Sequence, residues 1–214
     1  MRLLLIRHGE TASNVVQALD TAAPGAPLNE VGVAQAEKLA EQLAMEELDA
    51  VYSSPLIRAK MTATPLATTR GLLLAEYAGL REISAGELEM RTDMDAQLAY
   101  RDVFFRWLQG DLLAKIPGGE DGRTALERFS AVIERASADG TESLAVVSHG
   151  AMLMTWLASR KSNFDLSLLR HAPLQNTGVA VLESGPVDRW TVHSWQGQPL
   201  SSGSGGANRR AARG

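Results

Sequence analysis

Cysteine is absent from the 214 residues, which excludes a disulfide scaffold, a thiolate metal site and a cysteine nucleophile together. Lysine is scarce, four residues against seventeen arginines, a coding bias from which no function follows. Charge of either sign is not in large excess: 21 basic against 25 acidic residues leave a net of −4. No broad positive field therefore exists to hold a nucleic-acid backbone, and any anion site must be local. Long apolar runs are missing too. Met1-Arg2 is followed only by Leu3 to Ile6 before Arg7, short of the roughly 7–15 apolar residues of a signal-peptide core. No later run approaches the ~18 residues of a membrane span. Internal repeats are not visible. These absences predict a cytoplasmic protein without nucleic-acid or membrane partners.

What is present is an ordinary globular composition, 45% hydrophobic and 21% charged, in a chain long enough for one elaborated domain. We expect residues 1–196 to form that domain and 197–214, rich in Gly, Ser, Ala and Arg, to be a flexible tail. Leu3 to Ile6 reads as a strand buried on both faces. Asn29 is placed to cap a helix running to about Leu43, with Val33, Ala36, Leu39, Ala40 and Leu43 at helical spacing. Asp49 to Tyr52 is a second strand, and Ser54-Pro55 suits an N-cap and first helical position. Leu72 to Leu74 predicts a third strand, and helices are expected over 95–108, 123–138 and 151–159. Ser143 to Val147 is a further buried strand, and Val179 to Leu182 with Trp190 to His193 reads as a closing hairpin. Helices alternating with strands predict an α/β three-layer sandwich, its central sheet mostly parallel with an antiparallel edge.

In such a sheet ligands bind beyond the carboxyl ends of the strands. The first strand delivers Arg7 and His8 there, the second Ser53, Ser54 and, a turn into its helix, Arg58, and the later one His149. Two guanidiniums can grip a phosphate dianion through paired, charge-assisted hydrogen bonds. Neighbouring cations disfavour a protonated imidazole, so His8 should keep a free lone pair near neutrality and suit a nucleophile. Arg7 and His8 point to one side only if the strand has ended there, and Gly9 makes that break.

Arg7-His8-Gly9-Glu10-Thr11 with Asn14, Ser53-Ser54-Pro55 with Arg58-Ala59, and Ser148-His149-Gly150 together resemble the histidine phosphatase superfamily, in its phosphoglycerate-mutase-like branch. The resemblance runs from residue 1 to about 195 and includes Pro117-Gly118-Gly119-Glu120. It implies that His8 takes the phosphoryl group as a phosphohistidine, that Arg7, Arg58 and His149 hold the phosphate, and that Asn14 makes a further phosphate or orienting contact. Leu80-Arg81-Glu82 matches the segment whose glutamate protonates the leaving oxygen, which makes Glu82 the expected catalytic acid beside His8 and His149. The family usually has Gly-x-Trp-Glu-Gly after that acid, whereas this chain reads Gly86-Glu87-Leu88-Glu89-Met90, leaving Glu87 as a rival acid.

The resemblance implies a metal-independent phosphomonoester hydrolase, without cofactor, acting on a small phosphorylated metabolite. A phosphoglycerate mutase is the alternative, although the resembled mutases carry a longer insertion than the 91 positions separating Arg58 from His149. A non-catalytic phospho-ligand binding module would need the arginines but neither nucleophile nor acid. His171 and His193 lack metal-ligand spacing and read as structural. Tyr100, Phe104, Phe105 and Trp107 read as core before they read as a substrate lining, and Arg101 and Arg106 as a solvated helix face before a second anion contact. An exposed edge strand or the aromatic helix is a candidate homodimer surface.

Overall fold

The computed structural model describes residues 1–186 and 189–200. In chain order the elements are β1 (Arg2–Arg7), α1 (Ala12–Val15), α2 (Glu30–Gln42), β2 (Ala50–Ser53), α3 (Ile57–Thr69), β3 (Leu74–Glu76), α4 (Met94–Leu108) and α5 (Gly122–Ala138). β4 (Ser143–Ser148), α6 (Gly150–Ser159), β5 (Lys161–Ser162), α7 (Leu168–His171), β6 (Val179–Ser184), β7 (Arg189–Trp195) and β8 (Gln198–Pro199) follow. One sheet has the order β3-β2-β4-β1-β6-β7-β5, with β8 paired to β7. The β3-β2-β4-β1 half is parallel, and β6 pairs antiparallel with both β1 and β7.

Alternation along the central strands divides the core in two, because successive side chains of a strand leave on opposite faces. Leu4, Ile6, Val51, Ala145 and Val147 pack with Leu39, Ala63 and Leu66 of α2 and α3. Leu3, Leu5, Leu144 and Val146 pack on the other face with Phe129 of α5 and Trp156 of α6, whose rings lie 5.4 Å apart. The result is the three-layer α/β sandwich with parallel centre and antiparallel edge.

Asn29 caps α2 as expected, its Oδ1 accepting from the Gly32 amide at 2.8 Å. Three local expectations are corrected. The third strand lies at 74–76 and not 72–74, where its register with Val51 to Ser53 places it. Leu56, not Ser54, is the N-cap of α3 and makes no side-chain cap bond; the Ser54 hydroxyl accepts from the Leu56 amide at 3.3 Å and lies 2.8 Å from His149 Nε2. Gln198–Pro199, placed in the expected tail, pair with β7; positions 201–214 of that tail lie outside the described residues. Among the described residues, no helix is long and apolar enough to cross a membrane.

Candidate active site

β1 ends at Arg7, in register with Ser148 of β4, and the next amide, of His8, donates to the Ser148 carbonyl at 3.0 Å. Because the strand stops there, the side chains of Arg7 and His8 both reach one cleft of about 480 Å³. The Gly9 amide donates to Thr62 Oγ1 of α3 at 2.9 Å, which ties the turn to the neighbouring layer. At the end of β4, His149 lies with its ring centroid 5.2 Å from that of His8. Both imidazoles are buried, 4% and 0% exposed.

His8 Nδ1 lies 2.7 Å from the Gly9 carbonyl oxygen. A carbonyl only accepts, so Nδ1 carries the proton and Nε2 the lone pair. Arg58 Nε donates to that Nε2 at 3.1 Å. Burial first, then the cation of Arg58, hold His8 well below its ordinary value of 6.5. His149 is held well below it in the same way, by burial and then by His8 and Arg58. Its Nε2 lies 2.8 Å from the Ser54 hydroxyl.

Arg58 is 3% exposed, an arrangement that requires compensation. Its Nη2 donates to the Asp20 carbonyl at 2.8 Å, and its Nη1 lies 3.6 Å from the Asp20 carboxylate. Asp20 Oδ2 in turn accepts from Ser13 Oγ at 2.8 Å and the Ala26 amide at 2.9 Å. Gly25 has φ +71°, and a Cβ there would lie 2.3 Å from Arg58 Nη1; glycine both adopts the turn and leaves room for the guanidinium. Arg7 Nη1 donates to the Leu174 carbonyl at 2.8 Å. Among the described residues, Arg7 Nε, Arg58 Nη1 and His149 Nδ1 are buried without a hydrogen-bond partner; the arginine atoms are donors for an oxyanion, and His149 Nδ1 is one when Ser54 donates to its Nε2.

Glu82 lines the same cleft. Its carboxyl accepts from the amides of Ile83 and Met152 at 2.9 Å and Ala151 at 3.2 Å, so it also sits at the N-terminus of α6. Burial raises its pKa above the ordinary 4.5 against the opposing pull of these amides and of Arg58. Arg128 of α5 clamps the segment. It donates to the carbonyls of Gly79, Arg81 and Glu82 at 2.6, 2.8 and 3.1 Å and forms a bidentate pair with Glu120. The Ser148 hydroxyl donates to Leu80 O at 2.8 Å, and Tyr100 OH to Ile83 O at 2.8 Å.

The departure after Glu82 has a structural use of its own. Gly86 has φ +52°, and a Cβ there would meet Pro117 O at 2.2 Å, which joins this turn to the Pro117-Gly118-Gly119-Glu120 loop. Glu89 accepts from the amides of Thr21 and Ala22 at 2.8 and 2.9 Å, tying the segment to the loop that holds Asp20. Glu87 is exposed and does not line the cleft, so the structure disfavours it as the rival acid.

Asn14 stands at the cleft, its Oδ1 accepting from the Thr11 amide at 3.1 Å and from Asn176 Nδ2 at 3.2 Å. Asn176 Nδ2 also donates to His8 O at 2.9 Å. Asp20, Asn176, Arg128 and Glu120 were not singled out as site residues from the sequence. Asp20 lies in a stretch without periodicity, and the other three become meaningful only through partners far along the chain.

The aromatic run of α4 divides. Trp107 is core, 4% exposed, with its Nε1 donating to Ala114 O at 2.7 Å, whereas Tyr100, Phe104 and Phe105 form one wall of the cleft with Arg101 beside them. Arg106 instead pairs with Asp111. His171 is exposed on α7 and His193 pairs with Glu183 at 3.0 Å, both away from the cleft. Among the described residues, no three His, Cys, Asp or Glu side chains are grouped to hold a metal ion.

Buried histidines, two guanidiniums and a carboxyl of raised pKa thus gather at the carboxyl end of the parallel half of the sheet. The sequence profile of the histidine phosphatase superfamily (branch 1) matches residues 3–198, and the chain belongs to that superfamily. It is 32% identical over 93% of its length to the PE-PGRS family protein PE_PGRS11 of Mycobacterium tuberculosis, of which it spans only 37%. It is 30% identical to a probable phosphoglycerate mutase GpmB of Yersinia pestis, covering 91% of this chain and 90% of that protein. The crystal structure of the alpha-ribazole phosphatase of Shigella flexneri superposes with a TM-score of 0.73 at 27% identity, over 94% of this chain and 98% of the other.

Proposed function

We propose that the protein hydrolyses a small phosphorylated metabolite in two in-line steps through a phosphohistidine at His8, without a metal ion. The observation that carries this reading is the Gly9 carbonyl at 2.7 Å from His8 Nδ1, which leaves the Nε2 lone pair on the cleft side next to Arg58. In the first step Nε2 attacks phosphorus, the bond to the leaving oxygen breaks, and Glu82 gives that oxygen its proton. In the second, water attacks phosphorus, Glu82 takes a proton from the water, and the P–N bond breaks to return His8 and release phosphate.

Arg7, Arg58 and His149 supply the donors for the transferring phosphoryl oxygens, and Asn14 fixes the loop that carries His8. Preorganised charge of this kind acts most strongly on the transition state, where charge is spread over those oxygens. Arg7 Nε, Arg58 Nη1 and His149 Nδ1, which make no hydrogen bond among the described residues, fit that role. A neutral histidine and a protonated glutamic acid are the two states the first step needs, and the shifts of both groups run that way.

The likeness to a probable phosphoglycerate mutase favours a second reading, in which the phosphoryl group is returned to the bound product and not to water. Hydrolysis of p-nitrophenyl phosphate in excess chelator by wild type, and its loss in His8→Ala, is the expected result. Chelator-sensitive turnover, or an active His8→Ala, contradicts the reading. Conversion of 3-phosphoglycerate that depends on bisphosphoglycerate, without net phosphate release, selects the mutase.

A further inference from the structure

The cleft extends well past the phosphate-gripping residues, and its outer wall is of one chemical kind. Tyr100, Phe104 and Phe105 of α4 line it on one side and Met154 of α6 also faces it, an apolar surface on which the Phe104 and Phe105 rings are tilted by 56° to each other. Arg101 stands on the same wall, exposed. The arginines flanking it along the chain are neutralised in place: Arg91 by Asp93 at 2.7 Å, and Arg106 by Asp111. Arg101 has no hydrogen bond or ion pair among the described residues. An arginine at the mouth of an apolar cleft, with its fork of donors free, is suited to a carboxylate held end-on.

We infer that the leaving group of the natural substrate has an apolar body that lies on Tyr100, Phe104 and Phe105 and ends in a carboxylate that Arg101 receives. The inference rests on the hydrolase reading for the identity of the transferred group, and it adds what the cleft selects beyond it. Arg101 acts as a specificity residue on groups remote from phosphorus. Its effect therefore falls on binding of the leaving group, which raises KM when lost and leaves the chemical step alone.

The test compares 4-carboxyphenyl phosphate with phenyl phosphate, in wild type, Arg101→Gln, Arg101→Lys and, as a control of equal charge change on the same helix, Arg106→Gln. Wild type should favour the carboxylated compound by about tenfold in kcat/KM, the worth of one charge-assisted bond at a solvent-facing site. Arg101→Gln should abolish that preference through a higher KM for the carboxylated compound. Arg101→Lys should retain part of it, and Arg106→Gln all of it. Equal treatment of the two compounds by wild type, or a preference that survives Arg101→Gln or is lost equally in Arg106→Gln, overturns the inference.

Calorimetric binding of 4-carboxybenzylphosphonate and benzylphosphonate repeats the comparison without turnover. If folded wild type hydrolyses neither ester, the hydrolase reading fails. Tighter binding of the carboxylated phosphonate, lost in Arg101→Gln, then still upholds the role of Arg101, and equal binding overturns it.

Discussion

Arg58 donates from Nε to Nε2 of His8 over 3.1 Å, so the buried cation that is to hold the phosphate also rests against the lone pair that is to attack it. An arriving phosphoryl group competes for both partners at once. Removing the guanidinium should therefore cost more in the transition state than in binding. Arg58→Ala is expected to lower kcat/KM by about 10²–10³-fold, mostly in kcat, and an effect confined to KM in steady-state kinetics contradicts this.

The room for that guanidinium is made by Gly25, where a Cβ would lie 2.3 Å from Arg58 Nη1 at φ +71°. Gly25→Ala should lower thermal stability by about 1 kcal/mol or more through backbone strain and should reduce kcat as Arg58 shifts. A variant with wild-type activity would show that Arg58 does not need this position.

Glu82 is raised above 4.5, mainly by burial, so its protonated form persists to higher pH than an ordinary glutamic acid. Turnover of alkyl phosphates, which have poor leaving groups, should fall as pH rises through that elevated pKa, whereas p-nitrophenyl phosphate should show little of this limb. Glu82→Gln should slow alkyl phosphates by about 10²–10⁴-fold and remove the limb. Equal slowing of both substrate classes counts against the acid role.

His8 and His149 are held neutral in the folded protein, well below 6.5, while in the unfolded chain they protonate near that value. The unfolded state then binds more protons as pH falls below 6.5, so stability declines on acidification by up to about 1.4 kcal/mol per pH unit for each histidine. Glu82, with a raised pKa, pulls the other way in the range just above 4.5, one group against two. Denaturant unfolding from pH 7 to 5 should show the loss, and His8→Gln should reduce its slope. A flat profile contradicts the burial of neutral imidazoles.

Arg128 reaches three carbonyls around Glu82 and the Glu120 carboxylate, and Glu120 is left partly buried without it. Arg128→Ala should cost about 2–4 kcal/mol and, in the protein that remains folded, slow alkyl phosphates more than p-nitrophenyl phosphate. Arg128→Lys cannot restore the fork and should recover stability only in part. Equal loss on both substrates would mark Arg128 as a structural clamp with no bearing on the acid.

The sequence made the strand ends readable because Arg7, His8 and His149 each follow a buried apolar run, and Arg58 follows one at a helical turn's distance. Fold class followed from the same alternation. Between Ile83 and Gly119 the helix over 95–108 was readable, but the turns on either side of it were not, since their path depends on contacts such as Gly86 against Pro117 and Glu89 against Thr21, which have no local periodicity. Ser54 reads as a cap by local preference, yet the helix starts two residues later, at Ile57 with Leu56 as its N-cap, and Ser54 meets His149 across the fold. The short α1 is held by a capping box from Thr11 to Asn14, in which asparagine takes the place that glutamate or glutamine usually marks. The run Tyr100 to Trp107 could not be divided into core and cleft from spacing alone, because helical spacing shows which side chains are apolar but not what they face.

The central claim, covalent transfer to His8, is tested most directly by quenching wild type during turnover of a ³²P-labelled phosphomonoester and mapping the label. The account predicts an acid-labile, base-stable phosphoryl group on the peptide holding His8, absent from His8→Ala. Folded, active wild type that accumulates no such species under rapid quench, or label that persists in His8→Ala, would contradict it.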